Sequence, residues 1–403
     1  MRTCIHHLWS FERGKYQTSL CLRAVSYQSL CCRHKHITCS TTPNYSNYFI
    51  QGQHGRTISF FGSGGKDPWK KAISEAERIV GYPTSFMSLR CLLSDELASV
   101  ALHVRKLVGT KHPLLQTAKN FLSDGSNSLQ TRGLVVLLVS KAAGSSPSWG
   151  DGNQPLVSGI HPSQRALAEI TEMIYTAFLV HRGVVDLNKT VPEDGPLKDM
   201  EFGNKMAVLS GDFLLASASA ALASLKNTLV VDLISQSIDH MTRGAFTEMG
   251  VKESSPFSNV KTFDQWKDYV YLSSGSLIGH SCKAALLLAN QKQEFVDAAF
   301  EFGKNLAWAQ QLHQDLTIIQ KEGKSNTEYL LLGPVILHNE ISPLTVQSDR
   351  EIIKTVQSSS AVSEAKNMCQ HYVDCAMKLI TEFPNKEAKE ALYNLLRALT
   401  TFK

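Results

Sequence analysis

A chain of 403 residues, 43% of them hydrophobic and 19% charged, is long enough to bury a sizeable core and has a globular rather than a disordered or fibrous composition. Its net charge of +5 is unevenly placed: residues 1–66 carry eight Lys and Arg (Arg2, Arg13, Lys15, Arg23, Arg33, Lys35, Arg56, Lys66) against one acid, Glu12. The remainder is slightly acidic, which excludes a basic nucleic-acid surface on the body of the chain.

The segment 1–66 is acid-poor and rich in Ser, Thr, Tyr and Cys, the composition of a mitochondrial transit peptide. A disordered tail with no address is the competing reading. The stretch from Leu20 to Leu30 is interrupted by Arg23, Ser26, Gln28 and Ser29, so it lacks the apolar core of a secretory signal. We divide the chain into 1–66, with cleavage expected before Gly64, and a folded domain over 67–403 expected in the mitochondrial matrix. Five of the nine cysteines fall in the leader. The other four, Cys91, Cys282, Cys369 and Cys375, form no CxxC and read as small buried hydrophobes of a reducing compartment.

Pro68 opens a helix whose apolar face is Ile73, Ala76, Ile79 and Val80, stopped by Gly81 and Pro83. A second helix is expected over Phe86–Val108, followed by a basic corner at Lys111, His112 and Pro113. Leu114–Leu122 and Thr131–Ala143, with the run LVVLLV, read as further helices. The Gly-, Ser- and Pro-rich stretch 144–162 reads as a surface loop. Leu167, Ile170, Ile174, Ala177 and Phe178 then recur at helical spacing, with Arg165, Glu169 and Glu172 elsewhere on the wheel. After a polar connection over 188–200 comes FGNKMAVLSGDFLLA, where Asp212 lies in an apolar segment and needs a partner such as Asn204 or Lys205. The nearly uncharged run Ala207–Leu225 is long enough to span a bilayer, but Asp212, Gly211 and its serines favour a buried core helix. Leu222–Met249 and Phe263–Gln291 read as helices, as does the frame from Phe302 to Ile318. Lys321–Arg350 reads mostly as loop, and two helices close the chain around the turn Phe383, Pro384, Asn385. No alternating strand pattern occurs, so the fold class is all-α.

FGNKMAVLSGDFLLA, and the frame FGKNLAWAQQLHQDLTI from Phe302 to Ile318, resemble the trans-polyprenyl diphosphate synthases over about Ser74–Leu399. The resemblance implies an isoprenoid-synthase-type helical bundle around a central cavity. It also implies two aspartate-rich motifs of the DDxxD type. Carboxylates spaced in that way hold Mg2+, a hard cation, against the substrate diphosphate.

This chain departs from the family where the chemistry should be. Its first motif reads Arg182, Gly183, Asp186, and its second Gln314, Asp315, Ile318. Lys111 and His112 are the remnant of the family's basic diphosphate loop, either a diphosphate contact or a solvated basic turn. Ser273 and Ser274 replace a Lys-Thr pair and read as packing residues or weak hydrogen-bonders. Asn204, Lys205 and Asp212 read as a structural polar core. Trp308 and His313 either narrow the cavity or are core residues. The resemblance therefore implies no catalytic or metal-binding residue and no cofactor on this chain. It implies a required subunit of a heteromeric decaprenyl or solanesyl diphosphate synthase for the ubiquinone side chain, whose catalytic partner subunit keeps the aspartates and Mg2+. Met173–Phe178 and Met206–Ala221 are the expected interface, and peripheral membrane contact stays open because such a product is greasy. Two alternatives remain at this point: a self-sufficient prenyltransferase using Asp186, Asp212 and Asp315, and a stand-alone lipid-binding or scaffold protein.

Overall fold

A computed structural model describes residues 68–81, 107–115, 117, 131–144, 158–252, 260–321, 329–344 and 349–402. The leader 1–66, the helix expected over Phe86–Val108 up to residue 106, the end of the helix expected over Leu114–Leu122, and most of the 144–162 loop lie outside the described residues. Twelve α-helices run through the described part: α1 Pro68–Val80, α2 Thr131–Ala143, α3 Pro162–His181, α4 Leu197–Ser224, α5 Thr228–Lys252, α6 Phe263–Val270, α7 Ser276–Leu288, α8 Gln293–Lys321, α9 Gly333–Ile341, α10 Asp349–Gln357, α11 Ala361–Leu379 and α12 Lys386–Ala398. No strand occurs among the described residues, and the all-α expectation holds.

The core is built around α7 and α2, which are apolar on nearly every side and buried on nearly every side. Helices α2, α3, α5 and α8 pack against α7, while α4 lies along α3 and α11 along α8. Glycine sets the closest of these approaches. A Cβ on Gly303 of α8 would stand 2.7 Å from the Cα of Gly279 on α7, so the two backbones touch there. Several polar groups inside this core are paired. Gln164 accepts from the His161 N–H at 3.1 Å, fixing the start of α3, and donates to the Ala285 carbonyl at 2.9 Å. Thr171 bonds Ser281 at 2.8 Å. Cys282 and Cys369 are buried among apolar neighbours, and burial raises both thiols, Cys369 to about 12.

Three readings of the chain are corrected. Leu222–Met249 is two helices: α4 ends at Ser224, Lys226 takes φ 53°, and the Asn227 side chain accepts the Val230 N–H at 3.2 Å to start α5. Lys321–Arg350 contains α9, whose Val335 and Ile336 pack inward, so its apolar residues belong to a helix too short for periodicity to reveal. The third concerns α4, which is not a buried core helix. Its most apolar 18-residue window has a mean hydropathy of 1.6 but is only 39% buried. Gly203, Ala207, Gly211, Leu214 and Ala218 face inward. Val208, Leu209, Ala216, Ala220 and Ala223 face outward, with Leu209 63% exposed.

Candidate functional site

The two motif positions open on one polar cavity of about 140 Å³. Helix α2 contributes Arg132, α3 contributes Tyr175 and Arg182, and α8 contributes Gln310, Gln311 and Gln314. The fourth wall is a π turn over Tyr271–Gly275 that joins α6 to α7 and brings Ser273 and Ser274 to the cavity. Both serines donate to the Val270 carbonyl at 3.3 Å, as weak hydrogen-bonders.

At the first motif, Arg182 is the C-cap of α3. Its Nη2 donates to both oxygens of Glu248, at 2.7 and 2.6 Å, and Glu248 is 6% exposed. Gly183 packs under the backbone of Leu114, where a side chain would crowd Leu114 and the Val180 carbonyl. Asp186 caps a single 3-10 turn by accepting from Asn188 at 3.0 Å and pairs loosely with Lys189 at 3.8 Å.

At the second motif, Gln314 lies on the cavity wall, but its two neighbours turn away from it. Asp315 is fully buried, accepts the Gly333 N–H at 2.8 Å and the Gln311 amide at 2.7 Å, and thereby ties α8 to the start of α9. Ile318 packs into a separate apolar cluster with Ile319, Val335 and Ile352. Trp308 and His313 also point away. Trp308 bonds the Lys267 carbonyl and meets Tyr372, whereas His313 donates to the Leu399 carbonyl at 2.7 Å. Both are half-buried packing residues, and neither lines the cavity.

The remaining expected residues are redistributed. Asn204 alone forms a polar core: its amide exchanges two 2.8 Å hydrogen bonds with Val185 and accepts from His112 Nε2 at 3.2 Å. His112 Nδ1 accepts the Leu114 N–H, which fixes the tautomer, and burial lowers its pKa. The ring fills the notch at Gly203, and His181 fills the equivalent notch at Gly211 two turns on. Lys205 and Asp212 are corrected to the exposed face of α4, paired with Glu201 at 2.9 Å and His181 at 3.3 Å, because their positions on the helix turn them outward. Of the two readings of Lys111 and His112, Lys111 fits the solvated turn, pairing with Asp194 at 3.4 Å on the surface, whereas His112, 1% exposed, is spent on Asn204 and Leu114. Neither is on the cavity wall.

The periodicity also misplaced Glu172. It is 3% exposed, accepts the Gly133 N–H at 2.7 Å and lies beside Arg132, whose guanidinium stacks 3.3 Å from the Tyr175 ring centre. Helix α3 is buried on most sides, so an acid off the apolar stripe still lies inside. Arg132, Glu172, Glu248 and Tyr269 were all missed. The one signal available was an arginine directly preceding the most apolar run of the chain.

Burial raises Glu172 and Asp315 to about 7, against the hydrogen bonds that each accepts and the nearby Arg132 charge on Glu172. Unfolded, they titrate near 4.5 and 3.8. Between those values and about 7 the folded chain holds protons that the unfolded chain has lost, so their contribution to stability falls as pH rises through that window. Glu172→Gln and Asp315→Asn imitate the protonated forms. Melting curves should show each variant gaining on wild type between pH 5 and pH 8, and an unchanged difference would contradict the assignment.

The donor set does not fit a divalent cation. The cavity wall offers guanidinium, amide, hydroxyl and ring groups, while Asp186, Asp212 and Asp315 each have a different partner. Among the described residues no three His, Cys, Asp or Glu side chains are grouped to hold a metal.

The chain belongs to the family described as polyprenyl synthetase, whose sequence signature matches residues 113–326. It is 44% identical to the human protein named all trans-polyprenyl-diphosphate synthase PDSS2 over 362 residues, 85% of this chain and 91% of that one. A probable hexaprenyl pyrophosphate synthase, mitochondrial, of Yarrowia lipolytica is 30% identical, with 81% of this chain and 87% of that one covered. The fold is that of a polyprenyl synthase from Caulobacter crescentus solved with calcium and isoprenyl diphosphate (TM-score 0.58, 16% identity, 84% of this chain and 99% of that one).

Proposed function

We propose that this chain is the non-catalytic but required subunit of a heteromeric all-trans-polyprenyl diphosphate synthase of decaprenyl or solanesyl type. The complex lengthens an allylic diphosphate with isopentenyl diphosphate to make the ubiquinone side chain. The observation that carries this reading is the cavity itself. Arg182 and Gln314 line it at the two motif positions, and the one remaining carboxylate of the second motif, Asp315, is buried in a bond to Gly333. A partner subunit that keeps both aspartate clusters and Mg2+ supplies the chemistry, and this chain supplies interface.

The outward face of α4, with Val208, Leu209, Ala216 and Ala220, suits that interface: it is apolar, regular and uncovered. Met173 and Phe178 on α3 are already packed against the core, so they contribute less. A mitochondrial location accords with the relatives that carry it in their names, and we place the complex in the matrix. Tagged chain, co-expressed with a polyprenyl diphosphate synthase that retains both motifs, should purify as a stoichiometric hetero-oligomer. Recovery of the tagged chain free of the co-expressed synthase would refute the reading.

A further inference from the structure

Three elements converge on one buried carboxylate at the first motif. Arg182, the C-cap of α3, gives Nη2 to both Glu248 oxygens at 2.7 and 2.6 Å. Glu248 comes from the end of α5, and Tyr269 of α6 hydrogen-bonds the same carboxylate. The Phe178 ring backs the guanidinium at 5.6 Å. Across the cavity a second guanidinium, Arg132, is held flat on Tyr175 above buried Glu172. Among the described residues, Glu172 and Glu248 are thus turned inward and matched to their own donors, and no acid lines the wall.

We infer that the Arg182 guanidinium is a built-in cation, cross-bracing α3, α5 and α6 through Glu248 as a bound divalent ion would, so that the folding of this subunit does not depend on Mg2+. A guanidinium suits the task because its charge is permanent at any physiological pH and its planar fork matches a carboxylate. A metal ion can dissociate or be chelated, whereas this cation is covalently part of α3. An arriving Mg2+ would meet two guanidiniums and three amides, none of them an anionic oxygen. The inference concerns the isolated chain and holds whether or not the proposed partner is right.

The test is thermal unfolding of the purified full chain in EDTA and in excess MgCl2, for wild type, Arg182→Gln, Glu248→Gln and the double variant. Wild type should melt at the same temperature in both buffers. Arg182→Gln leaves the buried Glu248 carboxylate with Tyr269 but without its cation and should lower Tm by about 3 to 6 °C. The double variant, which removes that carboxylate's charge as well, should recover at least half of the loss, and Arg182→Lys should fall between wild type and Arg182→Gln. A loss of packing alone would leave the double variant no better than Arg182→Gln. That result would overturn the inference, as would a rise in the wild-type Tm on adding Mg2+. If Arg182→Gln does not fold, the double variant still decides: folded supports the inference and unfolded overturns it.

Discussion

Gly303→Val is expected to be the most damaging single substitution in the described core. A Cβ at residue 303 would lie 2.7 Å from the Gly279 Cα and 2.8 Å from its N, contacts with backbone rather than with a side chain that can rotate away. Valine adds two methyl groups beyond that Cβ, so α7 and α8 must separate. Overpacking of this kind costs about 3 kcal/mol or more. Because α7 is buried on nearly every side, the separation would spread to α2, α3 and α5. The measurement is the soluble yield and Tm of the variant, with a fall of about 6 °C or complete loss of soluble protein expected. A variant within a degree of wild type would mean that the α7–α8 contact is looser than described.

The second large effect belongs to the outer face of α4. Leu209→Asp combined with Ala216→Asp should leave the chain folded, because both positions are exposed and the helix keeps its inward face of Gly203, Ala207, Gly211 and Leu214. Placed in an apolar interface, two unpaired carboxylates would weaken association with the catalytic subunit about 100-fold or more. Co-purification and sedimentation of the pair read this directly, with the Tm of the variant chain alone as the control for folding. If the pair stays together, the interface is not on this face of α4.

Much of the fold was legible because long helices carry their own period. The apolar positions of α1, α3, α11 and α12 recur at helical steps, and FGNKMAVLSGDFLLA and the frame from Phe302 to Ile318 carried the family. The failures have physical reasons. Glu172 and Asp315 looked like ordinary surface or motif acids, because a sequence does not show which faces of a helix its neighbours cover. Asp212 and Lys205 looked internal because their neighbours are apolar, yet those neighbours form an outward-facing surface rather than a core. His112 looked like part of a basic loop because its partner, Asn204, is 92 residues away. Glu248 and Arg182 are 66 residues apart, and nothing local to either announces the pair.

The most direct measurement is incorporation of labelled isopentenyl diphosphate, with Mg2+ and an allylic diphosphate primer, by three preparations: this chain alone, the motif-retaining synthase alone, and the two co-expressed. Among the described residues no cluster of carboxylates reaches the cavity, so polyprenyl product should come only from the co-expressed pair. Product from this chain alone would contradict the account, because Arg182, Gln314 and a buried Asp315 would then be supporting chemistry for which their donor groups are unsuited.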